Sequence, residues 1–346
     1  VHPPLNLDWL AKLPEMSGPH FAAIKAKESN VVGLGFSLVD SPKTKMKMDE
    51  IDDPDQLSKF RKKLARARQK LQDHLDETND DDSLIDTLTR VFFDFEAVGV
   101  GYLEIGRNTN GQIGYIGHIP ATTIRVRAKR DGYVQMVSNK AIFFRNFGED
   151  TPNPLGGDAS PNELIMFKKY SPSNSFYGVP DIVAATAAIA GNEFAARFNI
   201  DYFDNKAVPR HIIVLKGAKL GSGAEQRLAE FFETSMRGVN HRSLYIPLPG
   251  DTATEKVSLE VKPVEAGRQD QSFDRYREAN NKEILFTHRV PPNKIGLIEG
   301  SSVATALDAS KTFKEEVCQP IQRMFAKKIN KVIKEFTDAF VFEFNE

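Results

Sequence analysis

The chain has 346 residues, 40% of them hydrophobic, and its 46 Lys and Arg face 47 Asp and Glu, for a net charge of −1. This length exceeds the ~250–300 residues at which one core stops growing, so two or more lobes are expected. The composition argues against a surface that binds nucleic acid as a whole, against a disulfide framework because Cys318 is the one cysteine, and against a membrane span.

Residues 1–53 contain scattered prolines and little periodicity. We expect an extended N-terminal arm with short elements, one of them a strand within Val31–Val39. The numbering starts at Val1 rather than at Met and shows no secretion signal, which leaves room for preceding residues.

The segment from Pro54 to about Glu77 is predicted to be a helix with a basic middle. A solvated helix face is the simpler interpretation, and contact with an acidic surface or nucleic acid is the sharper one. Only Phe60 is interleaved to stack on bases. The basic residues are Lys59, Arg61, Lys62, Lys63, Arg66, Arg68 and Lys70.

Asp80-Asp81-Asp82-Ser83 precedes apolar residues at helical spacing from Leu84 to Phe95. Asp82 or Ser83 is expected to cap that helix. A metal site is the functional alternative, although three adjacent acids cannot all converge on one ion.

Residues 99–145 alternate in short apolar runs typical of β-strands, with hairpin turns at Asn108–Gly111 and Arg130–Gly132. The Gly-, Pro- and Asp-rich segment 146–162 predicts a surface loop. One further strand is predicted at Leu164–Tyr170.

Two long helices frame a compact insertion. The first starts at Tyr177–Asp181 and runs to Lys206, about 40 Å at ~1.5 Å per residue. The insertion, about Arg210 to Glu265, contains strands at Ile212–Leu215, Ser243–Leu248 and Val257–Lys262, and a short helix.

The second long helix, Gln269 to about Thr287, carries charge on nearly every face. A helix that is polar all round packs in a ring or faces a water-filled passage more readily than it enters a monomer's core. Its charged residues are Asp270, Asp274, Arg275, Arg277, Glu278, Lys282 and Glu283.

The loop after this helix is built to turn. Pro291 and Pro292 stop the helix, Gly296 permits a turn, and Ser301-Ser302 supplies a cap for the next helix. From there the chain is predicted to be helical to its end, with a kink at Pro320. His288 lies at a helix end, where imidazolium is favoured, although an ordinary terminal or core role is the simpler interpretation. Cys318 is expected to be a small buried residue.

Four segments together resemble the portal proteins of tailed bacteriophages, and most closely the PBSX-like portals of contractile-tailed phages. The resemblance covers about Leu84 to Ala326. The segments are Gly99-Val100-Gly101-Tyr102-Leu103-Glu104, Tyr177-Gly178-Val179-Pro180, Tyr202-Phe203-Asp204-Asn205-Lys206-Ala207-Val208-Pro209 and Thr287-His288-Arg289-Val290-Pro291-Pro292-Asn293-Lys294-Ile295-Gly296-Leu297-Ile298.

The resemblance implies an α+β portal-type fold with a mixed α/β wing, a two-helix stem, a small α/β clip and a long kinked C-terminal helix, the crown being absent or minimal. After the arm, the implied divisions are the wing at 54–176, stem helices at 177–209 and 266–290, the clip at 210–265, a tunnel loop at 291–304 and the C-terminal wing helix at 305–346.

The resemblance also implies a ring, a dodecamer, at one capsid vertex of the virion, made in the host cytoplasm. Its expected partners are the major capsid protein, the terminase large subunit, a head-completion or neck adaptor protein, and double-stranded DNA contacted without sequence preference. Expected site residues are Lys294, Glu299, Ser301 and Ser302 in the tunnel loop, Arg237, Asn240, His241 and Arg242 in the clip, and the seven charges of the second stem helix, facing the channel or a neighbouring subunit.

No enzyme is predicted, because the chain lacks a phosphate-binding Gly-x4-Gly-Lys-Ser/Thr loop, a Gly-x-Ser-x-Gly elbow and Cys–His metal spacing. No catalytic residue, cofactor or metal is therefore expected. Two alternatives stay open: a mixed α/β metal-dependent nuclease or other enzyme using Asp80–Asp82, and an oligomeric scaffold without a DNA role.

Overall fold

The structure is a computed structural model that describes residues 1–137, 140–156, 160–205, 211–216, 243–248, 258–263, 267–297 and 303–345. It divides into two compact units. Unit 1 comprises residues 1–186 and 283–346, and unit 2 comprises residues 187–282. None of the described helices is both long and apolar enough to cross a lipid bilayer.

The helices of the described part alternate with short strands at the N-terminus and flank the insertion later on. In chain order they are α1 Leu7–Met16, α2 Gly18–Val31, α3 Pro42–Asp49, α4 Pro54–Asp76, α5 Leu84–Val98, α6 Thr186–Asn205, α7 Gly267–His288, α8 Val303–Phe313 and α9 Gln319–Phe336. A 3₁₀ turn at Asp181–Ala185 precedes α6, and another lies at Pro292–Ile295.

The strands form three sheets. They are β1 Phe36–Asp40, β2 Val100–Arg107, β3 Ile113–Ile119, β4 Ile124–Val126, β5 Tyr133–Val137, β6 Lys140–Asn146, β7 Glu163–Lys168, β8 His211–Lys216, β9 Ser243–Leu248, β10 Ser258–Pro263 and β11 Phe340–Phe344. The large sheet of unit 1 has the order β3-β2-β7-β6-β5-β4, β1 pairs with β11, and unit 2 contains β10-β8-β9.

The core of unit 1 lies against one face of the large sheet. Leu103 and Phe167 point from β2 and β7 into a cluster with Phe92 of α5 and Phe325 of α9, whose ring stacks on Phe167 with centroids 4.3 Å apart. Tyr102, on the other face of β2, belongs to a second cluster. The alternation of side chains along a strand supplies both faces.

The N-terminal segment differs from the expected extended arm. Leu7, Leu10 and Leu13 are buried along α1, and α2 contributes to the main core. The prolines were misleading, because Pro19 and Pro42 stand in the first turns of α2 and α3, where a missing N–H donor costs nothing.

The C-terminus differs as well. The chain was predicted to be helical to its end, but α9 stops at Phe336 and β11 follows, pairing antiparallel with β1. Phe340, Phe342 and Phe344 alternate and are buried, which is a strand period rather than a helical one.

The first stem helix is shorter than predicted. The segment from Asp181 is a 3₁₀ turn, and the α-helix begins at Thr186 and ends at Asn205. Its length is about 30 Å rather than 40 Å.

Other predicted elements are present. α4 and α7 lie where expected, Ser83 caps α5 in a capping box with Asp86, and Asn108–Gly111 connects β2 and β3. Three strands of the insertion are found at the predicted places. The short helix expected near Leu228 lies outside the described residues.

Candidate functional site

Two of the four portal-like segments meet at a pair of glycines. A Cβ on Gly178 would lie 2.1 Å from the carbonyl oxygen of Gly99, and a Cβ on Gly99, which has φ +86°, would lie 2.8 Å from the nitrogen of Pro180. Only glycine permits such close backbone contact and this φ. The approach brings the end of α5 against the turn that precedes α6.

A buried ionic network forms beside this contact. Glu96, near the end of α5, is fully buried and has Lys27 Nζ 2.9 Å from its Oε2 and Lys169 Nζ 2.8 Å from its Oε1. Asp181 Oδ2 lies 3.2 Å from Lys27 and 2.6 Å from Lys169. Two carboxylates and two ammonium groups therefore neutralise each other.

The last of the four portal-like segments, Thr287–Ile298, joins the same network through His288, the last residue of α7. Its Nδ1 lies 3.7 Å from Glu96 Oε2, and its Nε2 is 2.8 Å from Nδ1 of His20 in α2. The two imidazole rings stack with centroids 5.0 Å apart. The network thus joins α2, α5 and the end of α7 within unit 1.

Charge pairing sets the protonation of the acids and bases. Burial alone would raise the pKa of Glu96, but Lys169 and Lys27 hold it well below its usual value. Burial lowers the pKa of Lys27, and Glu96 and Asp181 more than restore it. Both carboxylates and Lys27 are therefore charged at neutral pH.

The histidines behave in the opposite way. Burial and the neighbouring His288 lower the pKa of His20 to about 3, and burial lowers the pKa of His288 despite Glu96. The imidazolium that a helix end favours is therefore not the ground state of His288, because the side chain is 1% exposed. The simpler interpretation, a role in the core, is the one observed.

Glu96, Asp181 and His288 offer three ligand atoms within 4.8 Å of one another, close enough for a metal ion. Lys27 and Lys169 already contact both carboxylates. An ion there would meet two ammonium groups, so the chemistry of this cluster fits an ionic anchor better than a metal centre.

The acidic run ahead of α5 plays a capping and pairing role. Asp82 forms a bidentate pair with Arg90, with both N–O distances 2.7 Å. Asp80 and Asp81 are exposed, and within the part of the chain that is described they join no cluster of metal-ligand type.

The start of the predicted tunnel loop is rigid. The N–H of Val290 donates to Leu285 O at 3.1 Å and that of Arg289 to Phe286 O at 2.9 Å, the two bonds of a Schellman motif. Arg289 takes φ +57°, a conformation normally given to glycine. Val290 and Leu285 are both buried in the core, as this motif requires.

Beyond that motif, Asn293 attaches the loop to α8. Asn293 donates to Ala306 O at 2.9 Å and to Ser310 Oγ at 3.2 Å. Lys294 is half-buried in the 3₁₀ turn. Of the other residues predicted for the loop, Glu299, Ser301 and Ser302 lie outside the described residues.

The helix after the loop is irregular, as predicted. A π-turn at Lys314–Cys318 separates α8 from α9, and Pro320 stands in the first turn of α9. Proline has no N–H to donate to the preceding turn, and the wider π-turn allows the helix to continue without that hydrogen bond. Cys318 is buried, and burial raises the pKa of its thiol to about 11.

Six of the seven charged residues predicted to face a channel or a neighbouring subunit are exposed in the single chain. Asp274, Arg275, Arg277, Glu278, Lys282 and Glu283 are all exposed, and Lys282 lies 2.9 Å from Glu278. Asp270 lies in α7, with its side chain outside the described part. The clip residues Arg237, Asn240, His241 and Arg242 are outside it as well.

Within unit 2, α6 and α7 pack through small and amide side chains. Asn192 bonds to Asn281 at 2.8 Å and to Asn280 at 3.0 Å. A Cβ on Gly191 would lie 2.3 Å from the hydroxyl of Tyr276. Glycine within this otherwise uninterrupted helix therefore allows the close packing.

The ionic network was missed by the sequence reasoning, and part of its signal was visible. Glu96 follows Leu88 and Phe92 at helical spacing, so it is an acid on an apolar face. Lys27 lies in a stretch of alanines and isoleucine. A charge at a core position calls for a buried partner, but which partner the sequence does not say.

Comparison with known proteins agrees with these features. The family model described as Phage portal protein matches residues 56–346. The phage-like element PBSX protein XkdE of Bacillus subtilis is 27% identical over 381 residues, covering 96% of this chain and 74% of the relative. The probable portal protein of Haemophilus phage HP1 is 25% identical, covering 67% of this chain and 64% of that protein.

Solved structures show the same fold. The virion of a native gene transfer agent particle contains a chain with TM-score 0.68 and 18% identity, covering 100% of this chain and 85% of that one. The neck of the native particle, computed with C12 symmetry, gives TM-score 0.67 at the same identity and coverage. The match to the family model extends over most of the sequence, and this chain belongs to the phage portal protein family.

Proposed function

We propose that twelve copies of this chain close into the portal ring of a phage head and that double-stranded DNA passes through the channel of that ring. The observation that carries the proposal is the family match over residues 56–346. The likeness to a neck computed with C12 symmetry supports the number twelve. A ring needs one surface on each copy to fit a different surface on the next, and a twelvefold rotation closes it.

The exposed charges of α7 support a place for this helix in the channel or between subunits. Acids and bases alternate along it, from Asp274 and Arg275 to Lys282 and Glu283, and all four are exposed in the single chain. A strongly basic lining would release many counterions on binding DNA and hold it tightly. Mixed charge lets DNA slide.

The ionic network supports a fixed origin for the tunnel loop. His288 is held by His20 and Glu96 within the Schellman motif, one residue before Arg289, so the last turn of α7 cannot rotate without opening a buried cluster. A loop can then change shape between fixed ends. We assign Lys294, Glu299, Ser301 and Ser302 to the DNA-facing side of this loop.

The insertion between α6 and α7 is assigned to the clip. Its β8, β9 and β10 form a small sheet, and so short a segment has a marginal core alone, which favours pairing with neighbouring subunits. Arg237, Asn240, His241 and Arg242 would then dock the terminase large subunit during packaging and the neck adaptor afterwards. The remaining surface of the ring would contact the major capsid protein.

The test is a deletion of Ile298–Ser302 assayed for ring formation and for DNA packaging separately. We expect rings in normal yield and packaging reduced at least 10-fold, because the deletion removes residues that we assign to the DNA-facing side of the loop and keeps the contacts of His288 and Asn293. Glu315→Gln, an exposed change in the π-turn, serves as the control and should leave both readings unchanged. Normal packaging by the deletion variant would remove the tunnel role.

A further inference from the structure

Helix α4 carries a one-sided charge that the portal assignment does not use. Between Gln56 and Gln72 it holds seven cations and no acid, although the chain as a whole is nearly neutral. Arg68 is the member with a partner, 2.5 Å from Asp40. The other six are exposed and form no ion pair with any residue that the structure describes: Lys59, Arg61, Lys62, Lys63, Arg66 and Lys70.

Five of these six lie on one face. Lys59, Lys62, Lys63, Arg66 and Lys70 follow one another at spacings of three, one, three and four residues, which places them on one side of an α-helix over about 16 Å. We call this set the basic stripe. The apolar positions Leu64, Leu71 and Leu75 are turned toward the core instead.

The basic stripe destabilises the helix that carries it. Lys59 with Lys63, Lys62 with Arg66 and Arg66 with Lys70 are like-charge pairs at i,i+4, each of which opposes helix formation. A helix that served only to cover the core through Leu71 and Leu75 would gain from acids at some of these positions. The arrangement therefore fits a partner that supplies the missing negative charge.

Such a partner is either an acidic protein surface or a nucleic acid, and the composition of the stripe distinguishes the two. Protein interfaces have a desolvated core enriched in aromatic residues and depleted of lysine. The stripe has four lysines and one arginine and no aromatic residue among them. Lysine and arginine side chains are sufficient to contact a phosphate backbone. Single-stranded nucleic acid is usually bound with aromatic side chains that stack on the bases, so a stripe without them favours a duplex.

We propose that the basic stripe of α4 binds the phosphate backbone of double-stranded DNA without sequence preference. The stripe lies on α4, a different element from α7, whose exposed charges are assigned to the channel or to subunit contacts. This contact goes beyond the proposed function. The proposed channel lets DNA slide, whereas a stripe of positive charge retards DNA. Such a surface would hold packaged DNA beside the ring.

The experiment measures binding of the purified protein to a 30-base-pair duplex of mixed sequence, by fluorescence anisotropy from 50 to 200 mM NaCl. Each phosphate neutralised contributes about −0.9 to the slope of log K against log salt. Replacing all five stripe residues by Gln should therefore make the slope shallower by about 4.5 and weaken binding at least 10-fold at about 100 mM.

A matched control replaces five exposed lysines elsewhere, Lys12, Lys45, Lys47, Lys129 and Lys331, by Gln, with the same change in net charge. We expect it to keep most of the wild-type slope. Both variants are first compared with wild type by native mass spectrometry, which reports ring formation independently of DNA binding. Equal slopes for the two variants would overturn the proposal. Wild-type duplex binding by the stripe variant, together with its loss from assembled heads, would also overturn it and assign the stripe to an acidic protein surface.

Discussion

Glu96 is the centre of the buried ionic network of unit 1. At full burial it accepts from Lys27 and forms an ion pair with Lys169, in the place where α5, the Gly178 turn and the end of α7 converge. A buried carboxylate costs several kcal/mol to desolvate and is tolerated only with close partners. The charged cluster therefore fixes which elements meet there rather than adding much net stability.

Removing the central charge should be costly. We expect Glu96→Gln to lower the free energy of unfolding by ~3–5 kcal/mol, because two buried ammonium groups are left with Asp181 as their one carboxylate. Asp338→Asn, which breaks the exposed pair 3.3 Å from Lys43, should cost no more than ~1 kcal/mol. Denaturant unfolding of both variants checks this, and equal losses would show that the network is not an anchor.

The histidine pair predicts a stability that depends on pH. The pKa of His20 falls from 6.5 to about 3 on folding, so between these values the unfolded chain binds more protons than the folded one. Stability should therefore fall as pH is lowered from 6.5 toward 4, by up to ~1.4 kcal/mol per pH unit for His20. The lowered pKa of His288 adds in the same direction.

Unfolding free energies at pH 8, 6 and 5 test this. His20→Phe keeps a ring against His288 and removes one titrating group, so it should make the fall between pH 6 and pH 5 distinctly shallower. The paired acids contribute mainly at lower pH, because the folded pKa of Glu96 lies below its unfolded value and that stability is lost only as carboxylates protonate. Equal slopes for wild type and variant would contradict the assignment of neutral buried histidines.

At the scale of elements, the packing of α6 on α7 depends on an absent side chain. The Cβ of an alanine at position 191 would meet the Tyr276 hydroxyl at 2.3 Å and Asn280 at 3.1 Å. Alanine is otherwise the better residue inside a helix by ~1 kcal/mol. Propensity and packing therefore oppose each other at this position.

Because of this conflict, the effect of Gly191→Ala on amide hydrogen exchange should reverse when Tyr276 is removed. Gly191→Ala alone should loosen the helix pair and speed amide hydrogen exchange in α6. In a Tyr276→Ala background the methyl group has space, so the same substitution should slow exchange relative to Tyr276→Ala alone. If Gly191→Ala slowed exchange in both backgrounds, the close contact of Gly191 with Tyr276 would not be what keeps glycine there.

The sequence predicts an element well when local signals determine it and poorly when distant residues do. Local signals located α4, α5 and the turns, because caps, turn residues and periodicity act within a few residues. α2 and α3 were missed because Pro19 and Pro42 occupy their first turns, and α1 was missed because Pro14 lies inside it, where a helix is not expected. β11 was missed because Phe340 to Phe344 is too short to outweigh the preceding helix. Its pairing with β1 joins residues some 300 positions apart, which no local pattern encodes.

The site divides in the same way. The portal-like segments were recognised from sequence, and three of them converge on the network. The network itself was not predicted, because Lys27, Glu96 and Lys169 come from three separate segments and only the fold brings them together. The tunnel-loop and clip residues stay predictions, since Lys294 alone among them lies in the described part of the chain.

At the scale of the whole molecule, a single chain exposes surfaces that subunit contacts in a ring would cover. Helix α7 exposes charged side chains between Asp274 and Glu283, and Phe286 and Leu307 are exposed apolar side chains. The family to which the chain belongs is that of phage portals. Subunit contacts in a closed ring would give these surfaces partners.

The most direct test of this account is native mass spectrometry of the purified protein over a range of concentrations, followed by class averages of end-on views in negative stain. We expect a closed assembly of about twelve times the chain mass, with a central hole wide enough for a DNA duplex, about 20 Å. A monomer that persists at every concentration, or an assembly without a central channel, would contradict it.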